Sequence, residues 1–475
     1  MTGIGDIAVI DVGKTNIELW VASKDGTLLE SRSTPNSVLE GQTWRYHDLE
    51  GASIWLITTL AELCKRHPIR MIVPVGHGSG GVLVGSDPDD AGAGQALPMI
   101  DYEQACPADI DAEYRKKAGT FEDRGSPVMM ASTHAARQLL WMERTYPTEF
   151  RNARHFLNIA QFWGWWLTGV AASEYSAMGA QSHLWNVPQR RWTPIVLERG
   201  WETLMPAFKA AWDPLGPVRE DLVQRFDLPQ DMVVLTGAHD STANFFRYLA
   251  AQVKDFTLVS TGTWVVALSR DVETEKLDQS LGTTINADMD GNPIGGALTM
   301  GGREFSAIAG ADTSDEVVKQ KDVARLITRG TMAMPSFGDN DGQFPCSARR
   351  GHIVGASPAN QAERAALAVL HSALLTVTCT DVLNGGSRLI LDGTFLKDPM
   401  YAQIVAALRP GLRTEASHET HGVVAGALQL ACRASGSPPP PLTLEPVRSV
   451  VLPGLTEYAT QWREAANRQG GQPYD

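Results

Sequence analysis

The sequence has little of what marks the specialised protein classes. Its 475 residues contain five cysteines, Cys64, Cys106, Cys346, Cys379 and Cys432, an odd number set far apart with no CxxC pair. Zinc ribbons and disulfide frameworks need close or paired spacing, so these cysteines read as small core hydrophobes. Positive charge is also short: 41 Lys and Arg stand against 54 Asp and Glu, a net charge of −13. Nucleic-acid binding rests on clustered Lys and Arg, so no nucleic-acid partner is expected. The longest apolar run noted, near Ser53 to Cys64, is too short for a bilayer and carries Glu62, so no membrane partner is expected. The opening MTGIGDIAVIDVG has no basic n-region followed by a long apolar segment, and a soluble cytoplasmic protein is the expectation. No GxGxxG follows the first apolar run, which disfavours a Rossmann dehydrogenase, and no His, Cys and carboxylate cluster has metal-ligand spacing.

What is present is ordinary in bulk and informative in order. Apolar residues make up 43% and charged residues 20%, the balance of a globular protein. A chain this long outgrows one hydrophobic core, and two domains are expected, residues 1–242 and 243–475. Ile7 to Ile10, a turn at Asp11 to Asn16, Ile17 to Ala22, an Asp25-Gly26 hairpin signal and Thr27 to Ser31 predict a β-meander. Helical spacing follows over Gly51 to Arg66, Thr133 to Thr145 and Ala153 to Leu167, with a loop at Asp87 to Gly94. After Gly237-Ala238-His239-Asp240 a helix is predicted over Ser241 to Val253. The opening pattern then recurs, with strand Phe256 to Ser260, turn Thr261-Gly262-Thr263 and strand Trp264 to Ser269. Further elements are a helix at Pro358 to Leu383, a strand at Arg388 to Leu391, a helix at Pro399 to Leu408 and a small-residue helix at Gly422 to Ala434. Pro438 to Pro441 is taken as the end of compact structure before a tail helix, Leu455 to Arg468. The class is α/β.

Two turns and one carboxylate carry the chemistry. Phosphoryl transfer needs positioning and neutralisation of charge more than covalent help. Asp11-Val12-Gly13-Lys14-Thr15 offers a carboxylate for Mg²⁺, a glycine, a lysine and a hydroxyl, and Thr261-Gly262-Thr263 offers a second cradle. Each alone is ordinary turn chemistry; their pairing, one at the head of each half, points to a nucleotide. Asp240 stands at the seam. By position it reads equally as a base for an attacking hydroxyl or as the N-cap of the helix that follows.

Together these segments resemble the FGGY family of carbohydrate kinases, of the sugar kinase, Hsp70 and actin superfamily, over about residues 5 to 435. Asp11-Val12-Gly13-Lys14-Thr15 resembles the family's first phosphate loop. Gly76 to Gly81 with Leu97 to Tyr102 is similar to its sugar-binding stretch, and Leu167-Thr168-Gly169 and Gly237-Ala238-His239-Asp240 match its Leu-Thr-Gly and Gly-x-His-Asp. Ser260-Thr261-Gly262-Thr263-Trp264 is close to the Ser-Ser-Gly-Thr-Trp of rhamnulokinases, and Leu391-Asp392-Gly393-Thr394-Phe395 resembles the adenosine-side motif.

The resemblance implies two actin-like, ribonuclease H-like domains with a nucleotide cleft between them, and closure of the domains around the substrates. It implies Asp240 as the base, Asp11 as the Mg²⁺ partner, and His77, Asp101, Gln161 and His239 beside Asp240 at the sugar. Gly13, Lys14, Thr15, Thr261, Gly262, Thr263, Gly302, Gly393 and Thr394 would serve the nucleotide. ATP and Mg²⁺ are the implied cofactors, and a small-molecule sugar is the implied partner. A homodimer is the base-rate expectation. Three departures stand out. Glu18 occupies the place of a phosphate-binding Arg, with Lys14 expected to supply the charge; Thr394 replaces a glycine; and Gln161 stands where xylulokinases tend to be acidic. The pattern leans toward kinases of 6-deoxy-ketohexoses such as L-rhamnulose or L-fuculose, with the pentuloses xylulose and ribulose as the alternative. An actin-fold ATPase that leaves sugars alone is the rival from another class. Trp163, Trp165 and Trp166 read equally as a sugar-stacking or a core cluster, Arg303 and Glu304 as clasping substrate or each other, and Arg349-Arg350 as solvated surface.

Overall fold

The first strand, Asp6–Val12, is buried along Ile7 to Ile10 on both faces, as the middle of a covered sheet must be. The structure, a computed structural model, describes residues 5–310 and 317–469. In the first half, Asp6–Val12, Asn16–Ala22 and Leu28–Pro35 form the antiparallel meander. Strand Ile69–Gly76 then pairs parallel to Asp6–Val12, and Val233–Leu235 pairs parallel to Ile69–Gly76, with Pro214–Pro217 on its far side. The second half repeats this plan. Phe256–Thr261, Val265–Ser269 and Pro293–Thr299 are antiparallel neighbours, and Arg388–Gly393 and Arg413–Ser417 extend the sheet in parallel. A meander followed by parallel strands, made twice, is the doubled actin-like α/β fold.

The chain separates into two compact units. One comprises Met1–Gln252, Asn286–Pro293 and His421–Leu442; the other Val253–Ile285, Ile294–Thr420 and Thr443–Asp475. The expected division after residue 242 falls inside helix Asp240–Ala250. That helix stays with the first unit because Gly422–Ser435 packs along it. A Cβ on Gly426 would lie 2.0 Å from the Ala243 carbonyl oxygen, so the small-residue composition of the second helix permits the contact.

Several expected elements need correction. Ala153 to Leu167 is not one helix: His155–Asn158 is a strand paired with Gly81–Val84, and only Ile159–Thr168 is helical. The Phe-Leu pair at its start satisfies strand pairing better than a helix face. Trp163, Trp165 and Trp166 are buried in the core of the first unit, which removes them as a sugar platform. Pro438 to Pro441 does not end compact structure. Glu445–Pro446 pairs with Arg413–Ser417, and helix Leu455–Gln469 buries Tyr458, Trp462 and Ala466, with the Trp462 indole N–H donating to the Ala333 carbonyl at 2.7 Å. Among the described residues one helix, Gln361–Leu383, is a longer apolar segment than Ser53 to Cys64. It is long and apolar enough to cross a membrane, but 89% of its most apolar stretch is buried inside the protein, as in a core helix.

Candidate active site

Asp11 and the residues expected at the sugar, His77, Asp101, Gln161, His239 and Asp240, all lie in the first unit. Asp11 lies near the end of the first strand, opposite Glu18 in the antiparallel register. The turn beyond it is braced from below: the Gly13 N–H donates to the Asn16 carbonyl at 3.0 Å, the Asn36 amide donates to the Gly13 carbonyl at 2.8 Å, and the Asn36 N–H reaches the Thr15 carbonyl at 2.8 Å. His47 Nδ1 stands 3.2 Å from Asn36 Oδ1 and so belongs to the same support. Burial, and then the negative charges of Asp240 and Glu18, push the Asp11 carboxyl up to about 8. A carboxyl so placed is stabilised by an arriving cation, which is the fit expected of a Mg²⁺ partner. Among the described residues no group of three or more His, Cys, Asp or Glu forms a ready-made metal site, so such an ion would come with the nucleotide.

Lys14, expected to meet phosphate in place of the missing Arg, is engaged elsewhere. Its ammonium is ion-paired and hydrogen-bonded to Asp101 and lies 5.2 Å from the centre of the Tyr102 ring. Arg45 takes the other Asp101 oxygen at 2.8 Å. Burial would raise Asp101, but the Lys14 hydrogen bond, the Glu103 N–H and the Lys14 charge together hold it below its usual range. His77 is fixed by its backbone N–H on the Val12 carbonyl at 3.1 Å, with its ring near Tyr102 and His47. Both its ring nitrogens are buried and without a hydrogen-bond partner. Burial lowers it to about 4, so at neutral pH it is an uncharged imidazole offering one donor and one acceptor. A buried, unsatisfied donor and acceptor are what a sugar hydroxyl would complete.

Asp240 opens helix Asp240–Ala250 as its first residue, and His239 holds the capping position. The Asp240 carboxylate accepts from the Ser241 hydroxyl at 3.0 Å and from the Ser241 N–H. His239 Nε2 lies 3.3 Å from it, and His239 Nδ1 lies 2.9 Å from the Thr242 hydroxyl. Asp240 is therefore not the N-cap of a helix beginning at Ser241. Gln161, expected at the sugar, donates to the carbonyls of Thr236 at 3.1 Å and Gly237 at 3.2 Å, with its own carbonyl unpartnered. It ties down the turn that leads into His239 and Asp240.

Of the residues expected at the nucleotide, Gly13, Lys14 and Thr15 lie in the first unit, and Thr261, Gly262, Thr263, Gly302, Gly393 and Thr394 in the second. Gly262 sits in an open turn closed by its N–H on the Trp264 carbonyl at 2.9 Å. Gly302 packs onto that turn so tightly that a Cβ would lie 2.3 Å from the Gly262 oxygen. Gly262, Thr263, Gly302 and Thr394 line a cavity of about 720 Å³, a volume suited to a nucleotide. Thr261 and Gly393 stand behind it. The Thr261 hydroxyl donates to the Asp392 carbonyl at 2.8 Å and accepts from the Phe395 N–H at 3.1 Å, and Gly393 has φ +92°. Glu304 holds the Ser336 and Phe337 N–H groups and His371, and Arg303 lines the cavity.

Sequence reasoning missed several residues here. Arg45 carried no motif, and the cavity residues Lys397 and Tyr401 lie just past the Leu391 to Phe395 motif. It also missed Glu174, fully buried, whose carboxylate accepts from the Ser176 N–H at 2.9 Å, the Ser176 hydroxyl at 2.6 Å and the Ala177 N–H at 2.9 Å. Burial pushes it up to about 7.

Residues 7–246 match the model of the FGGY family of carbohydrate kinases, N-terminal domain, and residues 253–439 that of carbohydrate kinase FGGY, C-terminal domain. A carbohydrate kinase from Novosphingobium aromaticivorans has a similar structure, with a TM-score of 0.86 at 28% identity, covering 98% of this chain and 99% of that one. The L-fuculokinase of Escherichia coli K12 is 25% identical over 300 residues, which span 59% of this chain and 60% of that enzyme. The xylulose kinase of Haemophilus influenzae is 24% identical over 165 residues, 34% of this chain and 33% of that enzyme.

Proposed function

This chain belongs to the FGGY family of carbohydrate kinases, and from that premise we propose that it transfers the terminal phosphoryl group of ATP to a hydroxyl of a ketose, with Asp240 as the base. The observation that carries the reading is the grouping in one unit of Asp240, the charged Lys14-Asp101-Arg45 set and a neutral His77 with both nitrogens unsatisfied. His77 would bind a sugar hydroxyl, and Asp101, oriented by Lys14 and Arg45, would accept from another. Asp240 would take the proton of the attacking hydroxyl as its bond to phosphorus forms. In the second unit the Gly262 and Thr263 turn would hold phosphate, and the cavity walls Phe395 and Tyr401 the base of the nucleotide. Asp11 would hold a Mg²⁺ ion, which supplies neutralisation of the phosphate charge.

The acceptor is a 6-deoxy-ketohexose such as L-fuculose or L-rhamnulose. Support comes from the L-fuculokinase relatives and the rhamnulokinase-like Ser260 to Trp264 stretch. A pentulose is the second reading, supported by the likeness to a xylulose kinase. Coupled ADP-release assays with fuculose, rhamnulose, xylulose and ribulose separate the two. Preference for the deoxy sugars by tenfold or more in kcat/KM is expected, about 1.4 kcal/mol of discrimination. Hydrolysis of ATP indifferent to every sugar would overturn the kinase reading itself.

A further inference from the structure

Glu174 presents a chemical oddity. A fully buried carboxylate normally has a cation beside it, because the cost of removing its charge from water is large. Glu174 makes no ion pair among the described residues, and all three of its hydrogen bonds come from the next turn of chain, residues 176 and 177. Glu174 is the N-cap of Tyr175–Met178, its carboxylate accepting from the Ser176 and Ala177 N–H groups where Ser, Thr, Asp or Asn is the usual choice; the third bond, from the Ser176 hydroxyl, goes beyond capping.

The consequence of the arrangement lies one bond further on. At 2.6 Å the Ser176 hydroxyl donates to Glu174, and its oxygen accepts the His239 backbone N–H at 3.1 Å. A hydroxyl that has committed its proton to a carboxylate presents its lone pairs in fixed directions, so the acceptor seen by His239 is set by Glu174. His239 immediately precedes Asp240. Its strand pairs with Gly76 on the other side, and Gln161 holds the two carbonyls upstream.

Resting on the reading of Asp240 as base, we propose that Glu174 and Ser176 position it: the carboxylate orients the serine hydroxyl, and the hydroxyl anchors the backbone from which the Asp240 side chain springs. They are positioning residues and touch no reacting atom. The role matters because a displacement of about 1 Å at a reacting group can cost on the order of 10²-fold in rate. The second half of the chain contributes to the same support. The segment Asn286–Pro293 packs on this turn, with Ala287 against Gly179 and Gly291 against the Tyr175 ring.

The test uses the full chain and four variants: Ser176→Ala, Glu174→Gln, Asp240→Asn and the Ser176→Ala/Asp240→Asn double variant. Ser176→Ala removes one buried oxygen and leaves no new bulk, so it is expected to fold. Its kcat should fall by about tenfold or more, with KM for sugar and for ATP held within threefold. Glu174→Gln should move in the same direction by a smaller factor. In the Asp240→Asn background, Ser176→Ala should change the residual rate less than twofold, because no base remains to be placed. Amide hydrogen exchange at His239 should quicken in Ser176→Ala and give a reading independent of turnover. Wild-type kcat in Ser176→Ala would overturn the proposal. So would an equal loss in the Asp240→Asn background, or unchanged exchange at His239. If the wild-type chain transfers phosphate to no sugar, the kinase reading fails and the positioning claim falls with it. If wild type and Asp240→Asn behave as expected while Ser176→Ala keeps its kcat, only the positioning claim fails.

Discussion

Lys14 is ion-paired with Asp101, 87 residues further along the chain, rather than standing free in the turn after the first strand. A lysine held this way, with its ammonium also against the Tyr102 ring, is committed to the group that would orient the sugar. Lys14→Met should therefore raise KM for the sugar by about tenfold, the effect of losing a charge-assisted hydrogen bond of roughly 1.5 kcal/mol, and leave KM for ATP within twofold. Steady-state kinetics with each substrate varied in turn makes the distinction. A change confined to ATP would return Lys14 to the phosphate side.

That relationship shows where the sequence stops being legible. The first meander, the opening two strands of the second and the turns that break them were readable, because β-branched runs broken by Gly, Asp and Thr reflect local backbone preference. The partner of Lys14 was not readable, since nothing local at residue 14 or 101 says that the two meet. Gln161 was opaque for the same reason, its bonds running to Thr236 and Gly237, and Glu174 because its local partner Ser176 meets the His239 backbone only through tertiary packing. The strand His155–Asn158 was hidden because its neighbour, Gly81–Val84, lies far back in the chain. The tail failed differently. Four prolines in a row say that regular structure pauses, not that packing ends, and Trp462 is 1% exposed beyond them.

The buried histidines of the first unit set its response to acid. His47 and His77 are lowered to about 3 and about 4, and His134 and His183 are lowered too, in each case chiefly by burial. The unfolded chain takes up these protons from about pH 6.5 downward while the folded unit does not. Stability is therefore fully present above that pH and is lost as pH falls. Each such histidine contributes a slope of up to about 1.4 kcal/mol per pH unit until its folded value is reached. Asp11 and Glu174, raised to about 8 and about 7, act the other way and lose stability as pH rises from about 4. Unfolding midpoints measured from pH 5 to pH 8 should drop on the acid side, and His77→Asn should soften that drop. An equal acid response in His77→Asn would contradict its neutral burial.

Gly393 tests the back wall of the proposed nucleotide cavity. Its φ of +92° and the position of the Thr261 carbonyl, 2.1 Å from where a Cβ would lie, leave no room for a side chain. Gly393→Ala should destabilise the protein by about 1–3 kcal/mol and weaken ATP binding, since Thr394 and Phe395 follow it in the cavity lining. Urea unfolding and nucleotide titration check both effects. Unchanged stability would mean that the two turns do not lock together.

Asp240→Asn removes the base while keeping the size of the side chain at the head of its helix. Turnover with the preferred ketose should fall by about 10² to 10⁴-fold, while the dissociation constant for ATP stays within about threefold. A variant that phosphorylates the sugar at the wild-type rate would contradict the assignment of Asp240 as the base.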